Sequence, residues 1–269
     1  MALTLSASII QMNVKNDAED NIEKSREFLD KAAAQGSKFV ILPELWLCGY
    51  AKNIREVARK YYDEVTSNLS EFAARHDLYI IGSIPTTRNG EGRETHVVYN
   101  TAHLIGPEGL VGTYDKAHLI RIMGEDKIFQ PGNSWKVFHT KYADVGIVIC
   151  YDLRFPGLTR VLTVNGAKMI FVPCAWPYPR IQAYRYLMVA RAIENQLFMI
   201  SANRTGEDEK FKYFGHSMVV DPTGEIILEA DEHETLLTCR MNFSKMDEVR
   251  ETLPCLKERK TELYKEFLD

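Results

Sequence analysis

Three short segments of the chain carry residue types that could together perform acyl transfer. They are Leu42-Pro43-Glu44-Leu45, Tyr114-Asp115-Lys116-Ala117-His118-Leu119 and Val148-Ile149-Cys150-Tyr151-Asp152-Leu153-Arg154-Phe155-Pro156. Cys150 offers a nucleophile; the thiolate is the attacking species, so it needs a base or a cation beside it. Glu44 follows Phe39-Val40-Ile41-Leu42-Pro43 and emerges at the edge of an apolar layer. Partial burial there favours the protonated carboxyl and suits a general base near neutrality. Lys116 follows Gly112-Thr113-Tyr114-Asp115, and a fixed ammonium stabilises a developing oxyanion. Each residue also has an ordinary alternative. A single cysteine ending an apolar strand is commonly an inert core residue, Glu44 could be a solvated loop acid, and Lys116 a surface lysine. Spacing does not bring the three together. Base, cation and thiol are nevertheless the parts list for acyl transfer through a thioester.

All three segments sit where a strand gives way to a loop, which is where α/β folds expose functional groups. Apolar patterning predicts strands over 3–12, 38–42, 78–84, 135–138, 145–149, 168–172 and 197–202. Helical spacing predicts helices over 17–34, 53–75, 157–165 and 180–194, with Gly36 as a stop after the first. Strands over 96–105 and 110–114 bracket the turn Gly106-Pro107-Glu108-Gly109. Strands over 217–220 and 225–228 bracket Asp221-Pro222-Thr223-Gly224, where Pro fixes φ and Gly admits positive φ. Residues 117–134 read as a mixed-polarity loop, and 245–267 as a charged, partly helical tail. No linker, repeat or low-complexity stretch interrupts the pattern, so one domain over 1–269 is expected, its tail starting near 243. Hairpins mixed with βα units imply mixed sheets covered by helices.

The composition narrows the partners. Thirty-three Lys and Arg against 37 Asp and Glu give a net charge of −4, so no basic surplus attracts nucleic acid. Cys48, Cys150, Cys174, Cys239 and Cys255 are odd in number and irregular in spacing, with no CxxC pair. They fit neither a disulfide framework nor a zinc knuckle, and favour a reducing compartment. The start Met1-Ala2-Leu3-Thr4 lacks a basic leader, and no apolar run approaches a membrane span. A cytoplasmic protein without a membrane partner is the expectation, with the sequons at Asn68, Asn203 and Asn242 as chance matches.

Taken together, the three segments resemble the motifs of the nitrilase, or carbon–nitrogen hydrolase, superfamily. A Glu after Pro43, a Lys in Asp115-Lys116 and a Cys in Cys150-Tyr151-Asp152 occur in that family's order. The likeness runs from about Leu3 to Met241. Gly124-Glu125-Asp126-Lys127 with Pro131-Gly132 resembles the loop carrying a second family glutamate. Ala190-Arg191-Ala192-Ile193-Glu194-Asn195, Gly215-His216-Ser217 and Asp221-Pro222-Thr223-Gly224 also agree. The resemblance implies a four-layer α-β-β-α sandwich of two mixed sheets with helices outside. It implies homodimers or larger homo-oligomers that bury helices near the Cys segment, and no metal or organic cofactor. It also implies roles: Glu44 as base, Lys116 with the Tyr151 N–H as oxyanion holder, Cys150 as nucleophile, and Glu125 positioning Lys116 and the substrate nitrogen.

The segment after the cysteine narrows the branch. Family members acting on nitriles usually carry Trp-Glu there, whereas this chain has Tyr151-Asp152-Leu153-Arg154-Phe155-Pro156. That pattern, with Ala175-Trp176-Pro177-Tyr178-Pro179-Arg180, resembles ω-amidases, which hydrolyse the terminal amide of dicarboxylic acid monoamides such as 2-oxoglutaramate. Such a substrate needs a cation for its far carboxylate. Arg180 is the first candidate and Arg185 the second, because a guanidinium meets a carboxylate bidentately; both could instead sit on a solvated helix face. Trp176 and Tyr50 are candidate pocket walls. Arg154 is expected in an ion pair beside the Cys turn, and His118 and His216 in structural roles. Tyr184 stands where such segments often carry Trp. The competing readings are an N-carbamoyl amine or amino-acid amidohydrolase, a deaminated-glutathione amidase, a silent scaffold, or a thiol redox sensor pairing Cys150 with Cys174.

Overall fold

The computed structural model describes residues 4–89 and 96–263. In chain order the main elements are β1 Thr4–Gln11, α1 Ala18–Ala34, β2 Phe39–Ile41, α2 Ile54–His76, β3 Tyr79–Asn89, β4 His96–Gly106, β5 Gly109–Asp115 and β6 Val145–Ile147. They continue with α3 Pro156–Val164, β7 Met169–Cys174, α4 Ile181–Asn195, β8 Phe198–Asn203, β9 Thr205–Glu207, β10 Lys212–Phe214, β11 Met218–Val220, β12 Ile226–Glu229, β13 Thr235–Asn242 and α5 Phe243–Thr252.

Two mixed sheets result. The first runs β13-β1-β2-β3-β4-β5 and the second β12-β11-β8-β7-β6, with β9 and β10 as a separate hairpin. In the first, β1, β2 and β3 are parallel and the rest antiparallel. In the second, β6, β7 and β8 are parallel. Alternation along each strand decides what each face meets. Ala7, Ile9, Phe39 and Ile41 join Ile147, Phe171 and Ile200 in a core between the sheets. Ile10, Val40 and Ile80 point the other way, onto Leu29 and Ala32 of α1 and Val57 and Val65 of α2. Leu162 of α3 and Met188 and Ala192 of α4 cover the second sheet. The architecture is the expected α-β-β-α sandwich with helices outside. Among the described residues no helix is long and apolar enough to cross a membrane.

Local chemistry sets the boundaries. Asp17 caps α1 by accepting from the N–H groups of Glu19 and Asp20, and Gly36 follows its end at φ +72°. Pro156 occupies the first turn of α3, where its missing N–H costs nothing. Three expectations change. Residues 135–138 form no strand: Phe138 makes only an isolated bridge to Val145, while Val137 and Phe138 serve as core and Trp135 is exposed. The expected loop 117–134 contains 3-10 turns at Arg121–Met123 and Glu125–Lys127. Strands β9, β10 and β13 escape sequence reading, the first two being three residues long and β13 largely half-exposed. The part of the tail beyond 263 lies outside the described residues.

Candidate active site

The ends of β2, β5 and β6 converge between the two sheets. Leu42 still pairs with Ile81, its N–H lying 2.7 Å from the Ile81 carbonyl oxygen, and Pro43 then ends the strand. The Glu44 N–H crosses to the Cys174 carbonyl at 3.3 Å, in the opposite sheet. Lys116 leaves β5 with its N–H on the Asn100 carbonyl at 2.9 Å. Cys150 follows β6 and opens a 3-10 turn over Cys150–Arg154, with φ at +46°. Left-handed backbone is unfavourable for a residue with a Cβ, and such strain gathers at functional sites.

The structure brings Glu44, Lys116, Glu125 and Tyr50 into one buried network. Glu44 is fully buried rather than at an edge. Its Oε1 accepts from Lys116 Nζ at 2.8 Å and Asn100 Nδ2 at 2.8 Å, and the Tyr50 hydroxyl oxygen lies 3.3 Å from it. Its Oε2 accepts from the Ala175 N–H at 2.9 Å. Lys116 Nζ also donates to Glu125 Oε1 at 2.7 Å, and Glu125 Oε2 accepts from the Ile120 N–H at 2.7 Å. Tyr50 donates to Glu125 Oε1 at 2.5 Å. Burial alone would pull the Lys116 ammonium down, but the Glu44 and Glu125 carboxylates outweigh it and hold its pKa well above the usual value. Burial first, then the Cys174 thiol and the Glu44 charge, push the Cys150 thiol well up, with Lys116 opposing. Burial and the charges of Glu125 and Glu44 also raise the Tyr50 phenol, so it stays a donor.

Cys150 lies on the wall of a cavity of about 260 Å³, which Tyr151, Arg154, Trp176 and Arg180 also line. The guanidinium of Arg154 stacks over the Trp176 ring at 5.0 Å, in place of the expected ion pair beside the Cys turn. Arg185 is not part of this wall: it donates to Glu229 and lies 3.3 Å from His216 Nδ1. Tyr50 reaches the cluster by its hydroxyl, while its ring lines a separate cleft with Lys52 and Phe211. Tyr184 is buried against Trp176 at 5.5 Å and bonds Ser201, so it packs behind the Trp176 wall of the cavity.

Sequence reasoning missed Asn100, the Ala175 N–H and the role of Asp152. Asn100 is a fully buried amide in β4, next to buried Thr101 and His103, and that run of polar residues between Val98 and Leu104 is the signal that could have marked it. Asp152 was in plain view beside Cys150. Cys174 stands in register with Cys150 when the pairing of β6 and β7 is continued. Among the described residues no cluster of His, Cys, Asp and Glu could hold a metal ion.

The family model for carbon–nitrogen hydrolases matches residues 6–251. The chain belongs to the carbon–nitrogen hydrolase family. Similar relatives of this hydrolase include a 2-oxoglutaramate amidase of Bacillus subtilis, 33% identical over 248 residues, covering 91% of this chain and 93% of that protein. Another is omega-amidase NIT2 of Homo sapiens, 34% identical over 270 residues, covering 96% and 95%. Among solved structures, a carbon–nitrogen hydrolase of Helicobacter pylori superposes with a TM-score of 0.92 at 22% identity, covering 100% and 99% of the two chains, and speaks for the fold alone. A superfamily protein of Xanthomonas campestris with an arsenic adduct in its active site gives 0.87 at 28%, covering 95% and 97%. This hydrolase is therefore an enzyme on the nitrilase fold.

Proposed function

We propose that this hydrolase is an ω-amidase, cleaving the terminal amide of dicarboxylic acid monoamides such as 2-oxoglutaramate with release of ammonia. One observation carries the reading. Two guanidinium groups, Arg154 and Arg180, border the cavity that ends at Cys150, and neither makes an ion pair among the described residues. A monoamide presents its amide to the thiol and its far carboxylate to such a cation. The names of the relatives at 33–34% identity point to the same substrates.

The site's electrostatics suggest the sequence of proton transfers. A thiol pushed up by burial is not a standing thiolate, so Glu44 takes its proton as the sulfur attacks the amide carbonyl. Lys116 and the Tyr151 N–H hold the tetrahedral oxyanion. Glu44 then hands the proton to the leaving nitrogen, and ammonia departs. Water deprotonated by Glu44 attacks the thioester, and Cys150 regains its proton. Glu125 holds Lys116 and orients the substrate nitrogen. No step calls on a metal or organic cofactor.

The same groups would serve an N-carbamoyl compound or deaminated glutathione, and carbon dioxide released alongside ammonia would mark the carbamoyl case. A silent scaffold is disfavoured by the fully assembled Glu44–Lys116–Glu125 network. Unpaired Cys48, Cys150, Cys174, Cys239 and Cys255 fit a reducing, cytoplasmic setting. Exposed Val164 at the end of α3 and Tyr186 and Ile193 on α4 offer a face through which copies would associate near the Cys segment. The deciding experiment is ammonia release from 2-oxoglutaramate and 2-oxosuccinamate, with Cys150→Ala as control. Turnover that disappears in the variant supports the reading; inactive wild-type protein removes the substrate assignment.

A further inference from the structure

We infer that Asp152 is a positioning residue that sets the spacing between Lys116 and Cys150. The two groups arrive on different sheets, Lys116 from β5 and Cys150 from β6. Asp152 is fully buried and does not line the cavity. Its Oδ2 accepts from the Ile149 N–H at 3.0 Å, directly before the nucleophile, and from the Tyr114 hydroxyl at 2.8 Å. Its Oδ1 accepts from the His118 N–H at 2.9 Å and from His118 Nδ1–H at 2.7 Å. The Tyr114 hydroxyl in turn accepts from the Ala117 N–H at 3.3 Å. Tyr114 and His118 lie two residues before and two after Lys116. One carboxylate thus clasps both flanks of the lysine and the residue before the cysteine.

The surroundings make the clasp stiff. Cys150 holds a left-handed φ of +46°, a conformation that persists only when neighbouring bonds fix it. The Asp152 N–H also donates to the Ile149 carbonyl at 2.9 Å, closing the turn from the other side. The His118 ring stacks on Phe155 at 3.6 Å and 7°, so the Lys116 segment lies flat on the end of the Cys turn. Four donors on two oxygens require a carboxylate. An amide of the same size keeps one acceptor oxygen and turns two N–H groups towards groups that need to donate.

The test is Asp152→Asn, read by kinetics and by alkylation of Cys150. The inference rests on Cys150 being the nucleophile of the proposed amidase, but iodoacetamide labelling needs no amide substrate, so the two readings fail separately. Since a misplacement near 1 Å can cost about 10²-fold, kcat should fall about 10- to 100-fold with KM within about twofold. Labelling of Cys150, followed by mass spectrometry, should slow at least about fivefold. Tyr114→Phe and His118→Asn loosen only the lysine side; each should lower kcat less, and neither should add fully to Asp152→Asn. If Asp152→Asn does not fold, the Tyr114→Phe/His118→Asn double variant carries the same two readouts. A folded variant with wild-type kcat and an equal or faster labelling rate overturns the inference, as does full additivity. A merely structural role would lower the melting temperature and leave both rates at wild type.

Discussion

Two carboxylates in this molecule each lie against a lysine ammonium and a tyrosine hydroxyl, in opposite surroundings. Asp77 accepts from Lys38 Nζ at 3.0 Å, from Lys141 Nζ at 3.0 Å and from the Tyr142 hydroxyl at 2.6 Å. Glu44 accepts from Lys116, Asn100 and the Ala175 N–H, with the Tyr50 hydroxyl beside it. The side chains of Asp77 and Lys141 are 45% and 60% exposed, while Glu44 and Lys116 show none of theirs. Water and salt can replace any one partner at Asp77, so its geometry is loosely enforced. Nothing can replace Lys116. The buried set keeps its geometry because no water can take the place of a lost partner, and for that reason it tolerates no deletion. Composition is shared; burial separates a surface ornament from a reaction centre.

The largest test of that contrast is Lys116→Met. It leaves Glu44 and Glu125 facing each other without a cation, so amide hydrolysis should fall on the order of 10²–10³-fold. Stability should drop by about 3–5 kcal/mol in urea unfolding. A variant as stable as the parent would break the comparison.

His103 supplies the intermediate case, a buried ionisable group whose ring makes no ion pair among the described residues. Burial pulls its pKa from 6.5 to about 4. Between those values the unfolded chain binds a proton that the folded one refuses, so stability should fall as pH drops from 6.5 towards 4. The loss should reach about 3 kcal/mol at the lower end, and His103→Asn should flatten that slope. Urea midpoints at pH 7 and 5 check it.

Next comes Arg180→Leu, which removes one cavity cation. It should lower kcat/KM for ω-amides about 10- to 100-fold while sparing iodoacetamide labelling of Cys150. Equal turnover of the parent and variant would take Arg180 out of substrate binding and leave Arg154 as the carboxylate partner.

The smallest effect belongs to the surface. Tyr142 first, then Lys141 and Lys38, hold the Asp77 carboxyl below its ordinary range. Its contribution is present above the unfolded pKa and fades as pH falls below it. At neutral pH Asp77→Asn should shift the melting temperature by less than about 2 °C, and by nothing measurable in 1 M salt. A large shift would mean that exposure does not separate the two clusters.

The fold class and the residues at the strand ends were legible because both are written in periodicity and order along the chain. What depended on direction in space was not. Arg180 and Arg185 look equivalent in sequence. Arg180 caps the start of α4 and borders the cavity, whereas Arg185, inside the helix, turns to Glu229. Arg154 carries no local mark that it would lie over Trp176, since those residues meet only through tertiary packing. Asn100 and Asp152 are polar groups whose partners lie 56 and 34–38 residues away, in segments joined only by the folded sheets. Strand β13 was invisible for the same reason: its partner is the first strand of the chain.

That pairing has a consequence for how the chain is made. β1 forms the first sheet's inner strand only when β13 docks along it, from Thr4 opposite Asn242 to Gln11 opposite Thr235. The hydroxyls of Ser8 and Thr238, 230 residues apart, meet across this seam. At ribosomal speeds of about 5–20 residues per second, the first strand waits roughly 10–45 s for its neighbour to be synthesised. During that interval β1 can pair with β2 on one side while its other edge stays open to any passing strand. The nascent polypeptide therefore emerges with a β1 edge that stays open until Thr235–Asn242 has been synthesised.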